Sequence, residues 1–134
     1  MSHVKKGSLL EEYLDYHQKY TVLYGSKLVT LMNVGSFYEL YGVINDEVSV
    51  GPPLYEIADL LNVPVAKKDK SIPQVDFKNH LMIGWPEIAI LKYKKILLHH
   101  GYTLVMVDQV TPAPNPERAV TDILSPSTVF NSPL

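Results

Sequence analysis

Cysteine is absent from all 134 residues, which removes disulfide frameworks, thiolate metal sites and thiol nucleophiles together. Arginine occurs once, at Arg118, too sparsely for bidentate Arg–base contacts to be the main means of reading a nucleic acid. No apolar run approaches the ~18 residues of a membrane helix, and the polar start does not read as a signal peptide. A reducing, intracellular compartment is therefore the expected address. Also missing are the phosphate loop G-x-x-x-x-G-K-[ST], the dinucleotide fingerprint G-x-G-x-x-G, the zinc motif H-E-x-x-H and the nucleophile elbow G-x-S-x-G. His99 and His100 are adjacent on a predicted helix, about 100° apart, and cannot share a metal unaided. A free-standing enzyme is not expected.

What remains suits one domain of mixed character. Hydrophobic residues make up 46% of the chain, enough for a single packed core at this length. Net charge is −2, which is no global nucleic-acid footprint. Its distribution says more. Residues 11–59 hold eight acids and two lysines, whereas 67–95 hold seven lysines and three acids. A segment carrying Lys67, Lys68, Lys70, Lys92, Lys94 and Lys95 is able to follow a phosphate backbone, although a solvated basic surface explains the same charges.

Along the chain, residues 1–7 read as a flexible leader. Ser8 and Glu11 then form an S-x-x-E capping box, and Leu9, Leu10, Tyr13, Leu14 and Tyr20 follow at helical spacing, predicting a helix over 9–20. Residues 28–34 read as a buried strand, Gly35-Ser36 as a turn and 37–41 as a second, aromatic strand, together a hairpin. Residues 42–51 form a loop or short extra strand. Pro52-Pro53 opens a helix continuing over 55–61, 63–68 is a short strand, and 81–83 another, stopped by Gly84. The pattern predicts the best helix over 86–100, started by Trp85-Pro86 and ended before Gly101, with His99 and His100 in its last turn. A β-branched strand over 103–110, three prolines and a final strand over 119–124 complete the chain. The expected fold class is α/β, a mixed β-sheet flanked by helices.

One segment has unusual chemistry. In Gly35-Ser36-Phe37-Tyr38-Glu39-Leu40, strand alternation puts Phe37 and Glu39 on one face and Tyr38 and Leu40 on the other. A buried Glu39 would cost several kcal/mol unless paired, so Tyr38 and Leu40 are expected in the core and Phe37 and Glu39 outside. An ordinary half-buried hairpin has the same pattern. The functional alternative is that the ring wedges into a base stack while the acid bonds to the displaced base edge.

At this point the chain resembles the N-terminal mismatch-recognition domain of the MutS family of DNA mismatch repair proteins. Phe37-Tyr38-Glu39 stands where the family's Phe-x-Glu motif stands, in the context G-x-F-Y-E-L. The leading helix, Leu81-Met82-Ile83-Gly84-Trp85-Pro86 (family M-x-G-[IFV]-P), the helix before Gly101, Val107-Asp108-Gln109 (family E-Q strand end) and Leu124-Ser125-Pro126-Ser127-Thr128 (family T-P-G-T) follow in the family's order. The likeness covers residues 8–129, leaving 130–134 as a tail expected to lead towards further domains. Departures are Asp108 for the usual Glu, Ser127 for a glycine, and Arg118 alone where the family has an arginine-rich run.

The resemblance implies a module that recognises mismatched or unpaired bases in double-stranded DNA. Phe37 would be the minor-groove wedge and Glu39 the base contact, carrying a proton where it faces a ring-nitrogen acceptor. Lys67 and Lys68, in the family's basic loop, would be phosphate contacts. It implies no cofactor in this domain, with ATP and Mg²⁺ belonging to an ATPase elsewhere in the parent, the other MutS domains as partners in cis, and a dimeric parent. The alternative is a structural or protein-interaction domain of a MutS homologue that does not read mismatches.

Overall fold

The structure, a computed structural model, describes residues 4–126. The proposed boundary at 129, the tail and the Ser127-Thr128 segment lie outside the described residues, as do the first three residues of the leader. Val4, within the leader, packs against the core.

The first helix, α1 (Leu9–Tyr24), begins at the capping box. Ser8 accepts the Glu11 amide through Oγ at 3.1 Å, and the Glu11 carboxylate takes the Gly7 amide at 2.8 Å. This satisfies one orphan donor of the first turn and fixes the approach of the chain. The helix runs four residues past the expected end at 20. Gly25, at φ +91°, caps it with a hydrogen bond from its amide to the Thr21 carbonyl. The extra turn leaves Val22, Leu23 and Tyr24 exposed, which is why apolar periodicity misses it.

Strands β1 (Leu28–Val34) and β2 (Phe37–Ile44) form the expected hairpin. The short strand β3 (Ser49–Val50) pairs with β2, the second of the two readings of 42–51. Helix α2 (Leu54–Leu61) follows the two prolines and stops at Asn62, whose left-handed φ of 57° ends it. Of the strand predicted over 63–68 only β4 (Ala66–Lys67) pairs, with β5 (Leu81–Pro86). Gly84 does not stop β5. The strand continues because β2 pairs along all of it, setting Gly84 opposite Glu39, Trp85 opposite Tyr38 and Pro86 opposite Phe37. Trp85 is accordingly a buried strand residue, not a helix entry. Because Pro86 stays extended (ψ 142°), the predicted helix opens with one 3₁₀ turn over Glu87–Ala89, and α3 spans Ile90–His99. Strands β6 (Thr103–Gln109) and β7 (Arg118–Leu124) close the order.

The sheet runs β4-β5-β2-β1-β6-β7, with β1 and β6 parallel and the remaining pairs antiparallel. It is the mixed, helix-flanked α/β sheet that the sequence predicts. Helix α1 covers one face at β1 and β2, where the Tyr13 hydroxyl donates to the Thr30 carbonyl at 2.7 Å and its ring packs on Tyr41. On the other face Leu40, Ile83 and Trp85 meet α2 and α3, with Trp85 stacked on Tyr93 at 4.4 Å. Strand β1 is therefore buried on both faces from Leu28 to Asn33. Among the described residues no helix is long and apolar enough to cross a membrane.

His17 lies under α1, bonded to Thr30 Oγ1 at 3.1 Å, and burial lowers its pKa from 6.5 to about 4. The unfolded chain therefore binds a proton that the folded domain refuses. Stability is full above 6.5 and falls as pH drops towards about 4, by ~3 kcal/mol for this group alone. Burial lowers His80 in the same direction. Urea melts through that window should show the loss, and His17→Gln should flatten it. A wild-type midpoint that does not move with pH would contradict the burial assigned to His17.

Candidate nucleic-acid interface

The face that carries Phe37 and Glu39 also carries Tyr41, but α1 covers only part of it. Tyr41 is buried beneath α1, Glu39 is half-buried, and Phe37, the first residue of β2, is 44% exposed. On the opposite face Leu40 is fully buried, whereas Tyr38 is only half-buried. Its hydroxyl donates to Asp108 Oδ1 at 2.5 Å, and Thr121 donates to the other oxygen of the same carboxylate. Burial first, and then the bond to Asp108, hold the Tyr38 hydroxyl well above its ordinary pKa. Tyr38 is thus an anchor at the sheet end.

The turn before Phe37 is short and heavily tied. Gly35 has φ +61°, the sign a type II′ hairpin requires at its first central residue. Its amide donates to Gln109 Oε1 at 3.0 Å and its carbonyl accepts from Gln109 Nε2 at 3.2 Å. Gln109 Nε2 also lies 3.0 Å from Asn33 Oδ1. Asn33 Nδ2 reaches the Phe37 carbonyl at 3.0 Å and Glu87 Oε2 at 3.2 Å, while the Glu87 amide donates to the Ser36 carbonyl at 2.8 Å. Arg118 Nε donates to the Asn33 carbonyl at 2.7 Å, and its guanidinium pairs with Glu12 of α1 at 3.1 Å. Three elements, β6 through Gln109, the 3₁₀ turn through Glu87 and β7 through Arg118, therefore brace the tip that presents Phe37, and Glu12 of α1 holds Arg118 in turn. Sequence reading missed Asn33, Glu87 and Gln109 as a unit, because they lie up to 76 residues apart. The Asp108-Gln109 strand end was its only local sign.

Glu39 has neighbours on three sides. Tyr41 donates its hydroxyl to Glu39 Oε1. Across the sheet Glu39 stands between Met32 and Gly84. A Cβ at Gly84 would lie 3.3 Å from Glu39 Cγ and 3.9 Å from Oε2, so the bare glycine leaves room for the carboxylate. Glu39 also lines a groove of about 470 Å³ with Tyr41, His80, Lys5, Lys68 and Lys78, an acid facing a basic wall.

The two lysines singled out in the sequence differ. Lys67 is half-buried with Nζ 3.5 Å from the Pro73 carbonyl, whereas Lys68 is exposed, its amide bonded to the His80 carbonyl at 2.9 Å. In register, Lys67 pairs with Leu81, which pairs with Gly42. That is five positions from Phe37, roughly 16 Å at strand spacing. The loop after β4 is organised by Asn79, 2% exposed, whose side chain donates to the Gln74 carbonyl at 2.8 Å and accepts the Asp69 amide at 2.7 Å. The arrangement therefore sets an apolar ring and an acid at one end of the sheet, with a stiffened lysine loop five strand positions away along it. Among the described residues no group of three or more His, Asp or Glu is placed to hold a metal ion.

Comparison with known proteins gives a consistent picture. The family profile described as MutS domain I matches residues 9–132. The chain is 32% identical to a mutS homolog of Acanthamoeba polyphaga mimivirus, over 95% of this chain and 11% of that protein. It is 28% identical to the DNA mismatch repair protein MutS of Thermus aquaticus, over 94% of this chain and 14% of the relative, and 25% identical to the mitochondrial DNA mismatch repair protein mutS homolog of Sarcophyton glaucum, over 78% and 12%. It spans little more than a tenth of the length of these relatives.

If Gln109 braces the tip, Gln109→Ala should free the Gly35 amide. Hydrogen exchange at Gly35 should then quicken tenfold or more, with a stability loss of about 1–2 kcal/mol. Unchanged exchange at Gly35 would show that the turn holds itself.

Proposed function

Since the chain belongs to the MutS family, as its domain I, we propose that it is the DNA-reading module of a mismatch repair protein, with Phe37 as a minor-groove wedge and Glu39 as its base contact. The observation that carries this reading is an exposed ring next to a turn braced by β6, the 3₁₀ turn and β7, two residues from a carboxylate on the same face. An unsupported exposed phenylalanine would lose its contact energy to loop motion. A braced one meets the duplex already positioned.

The energetics follow from stacking. A mismatched step is poorly stacked, so it opens and kinks at lower cost than a paired one. Stacking a base on the ring returns about 1–3 kcal/mol, against a few kcal/mol of unstacking. A paired step leaves that balance unfavourable. Discrimination comes from the resistance of the DNA, and Glu39 adds a hydrogen bond available only once the base is displaced. Lys68 and, with less freedom, Lys67 contact phosphates that position the duplex without reading it. The domain uses no cofactor for this. ATP and Mg²⁺ belong to an ATPase elsewhere in a dimeric parent, whose other domains hold the duplex in place.

Phe37→Ala in the full-length protein should collapse the preference for mismatched over matched duplex to within about threefold of unity, with the melting temperature nearly unchanged because the ring is 44% exposed. A loss of several kcal/mol in stability would instead mean that the ring is a core element. Glu39→Ala should spare or raise binding to matched DNA, by removing a charge that repels phosphate, while lowering discrimination. Glu39→Gln, which keeps a donor, should lose less. Lys68→Ala should weaken both duplexes about equally and reduce the salt slope by about one. A selective loss for mismatched duplex would make Lys68 a reader.

A further inference from the structure

Phe37 and Glu39 account for the wedge and the base contact, but nothing in that reading says how a flexible carboxylate comes to face the base. The residue two positions on along the same face does. Tyr41 is 3% exposed, its ring lodged between Tyr13, at 5.4 Å between centroids, and His80, at 4.7 Å. Its hydroxyl reaches back along the strand to Glu39 Oε1. A phenylalanine would fill the same apolar space, so packing alone does not call for the oxygen there. Among the described residues this is the sole side-chain hydrogen bond to Glu39, and no salt bridge reaches its carboxylate.

We propose that Tyr41 is a positioning residue for mismatch reading: its hydroxyl occupies Glu39 Oε1 and thereby presents Oε2, over the bare backbone of Gly84, to the displaced base. The inference rests on Glu39 being a base contact. Its chemistry follows from the donor inventory. A tyrosine hydroxyl has one proton to give, and a neutral carboxyl has one proton and a carbonyl oxygen. Where Glu39 meets a base acceptor as the neutral acid, acceptance from Tyr41 at Oε1 leaves the carboxyl proton to Oε2, so the group that donates to the base is fixed in identity and direction. The chain Tyr41–Glu39–base is then a run of hydrogen bonds in one sense, each polarising the next. Gly84 is the second half of the arrangement. A Cβ there would lie 3.3 Å from Glu39 Cγ and 3.3 Å from the Tyr38 carbonyl oxygen, so the Glu39 side chain would have to give by a few tenths of an ångström. Lys5, Lys68, Lys78 and His80 line the groove beside the carboxylate. Among the described residues none of them forms a salt bridge with it.

The test is a double-mutant cycle in the full-length protein, read as the ratio of affinities for a mismatched and a matched duplex. Tyr41→Phe should lower that ratio about three- to tenfold, the worth of one oriented hydrogen bond, and leave matched binding and the melting temperature close to wild type. In a Glu39→Ala background the same substitution should change the ratio by less than twofold, because the group it positions is gone. Gly84→Ala should lower the ratio in the Glu39 background and lose most of that effect in Glu39→Ala, where only its contact with the Tyr38 carbonyl remains. A Tyr41→Phe effect of equal size in both backgrounds would overturn the proposal and make the hydroxyl merely structural. So would an unchanged ratio in Tyr41→Phe while Glu39→Ala loses discrimination, which leaves Glu39 as a base contact but self-positioned. If Glu39→Ala itself leaves the ratio intact, the base-contact reading fails and Tyr41 has nothing to position.

Discussion

The whole arrangement depends on where helix α1 ceases to cover strand β2. From Leu40 to Val43 the strand is buried on both faces, so alternation no longer separates polar from apolar and the sequence there is nearly continuous in apolar character. At its first three residues the cover thins. Phe37 emerges, Glu39 is half sheltered and Tyr41 is shut in, all on one face. The proposed wedge, the proposed base contact and the tyrosine proposed to support it are thus three positions along a single gradient of burial. The antiparallel register to β1 and β5 fixes that gradient, because a slip of one residue would turn Phe37 and Glu39 to the other face.

Stiffness at the tip follows from elements distant in sequence. The parallel pairing of β1 with β6 brings Gln109 beside Gly35, and the pairing of β6 with β7 brings Arg118 to the Asn33 carbonyl. Arg118 is the one arginine of the chain, and it is spent on structure, tied to Glu12 and to the hairpin.

Much of this was legible in the sequence. The Ser8–Glu11 box, the hairpin at Gly35-Ser36 and the pattern of strand and helix are local signals that local physics produces, and the order of strands and helices implied the mixed sheet. The alternation argument also placed Phe37 outside and Leu40 inside. Three features were not legible. Gly84 reads as a stop because glycine weakens strands, yet here the pairing with β2 carries the strand through it to Pro86, past the point where β4 ends. The last turn of α1 carries exposed Val22 and Leu23, so its length is set by Gly25 and not by its apolar face. Asn33, Glu87 and Gln109 form a cluster only in three dimensions, and no spacing rule reaches across such separations.

The central claim is that a braced Phe37 enters the DNA at the mismatch itself. The most direct measurement places a photo-crosslinking phenylalanine analogue at position 37 of the full-length protein and maps its adducts on a duplex with one defined mismatch. Adducts concentrated on the mismatched base or its immediate neighbour, and lost when the mismatch is repaired to a matched pair, are the predicted result. Equal adduct yields on matched and mismatched duplexes, or adducts spread along the backbone, would contradict the account.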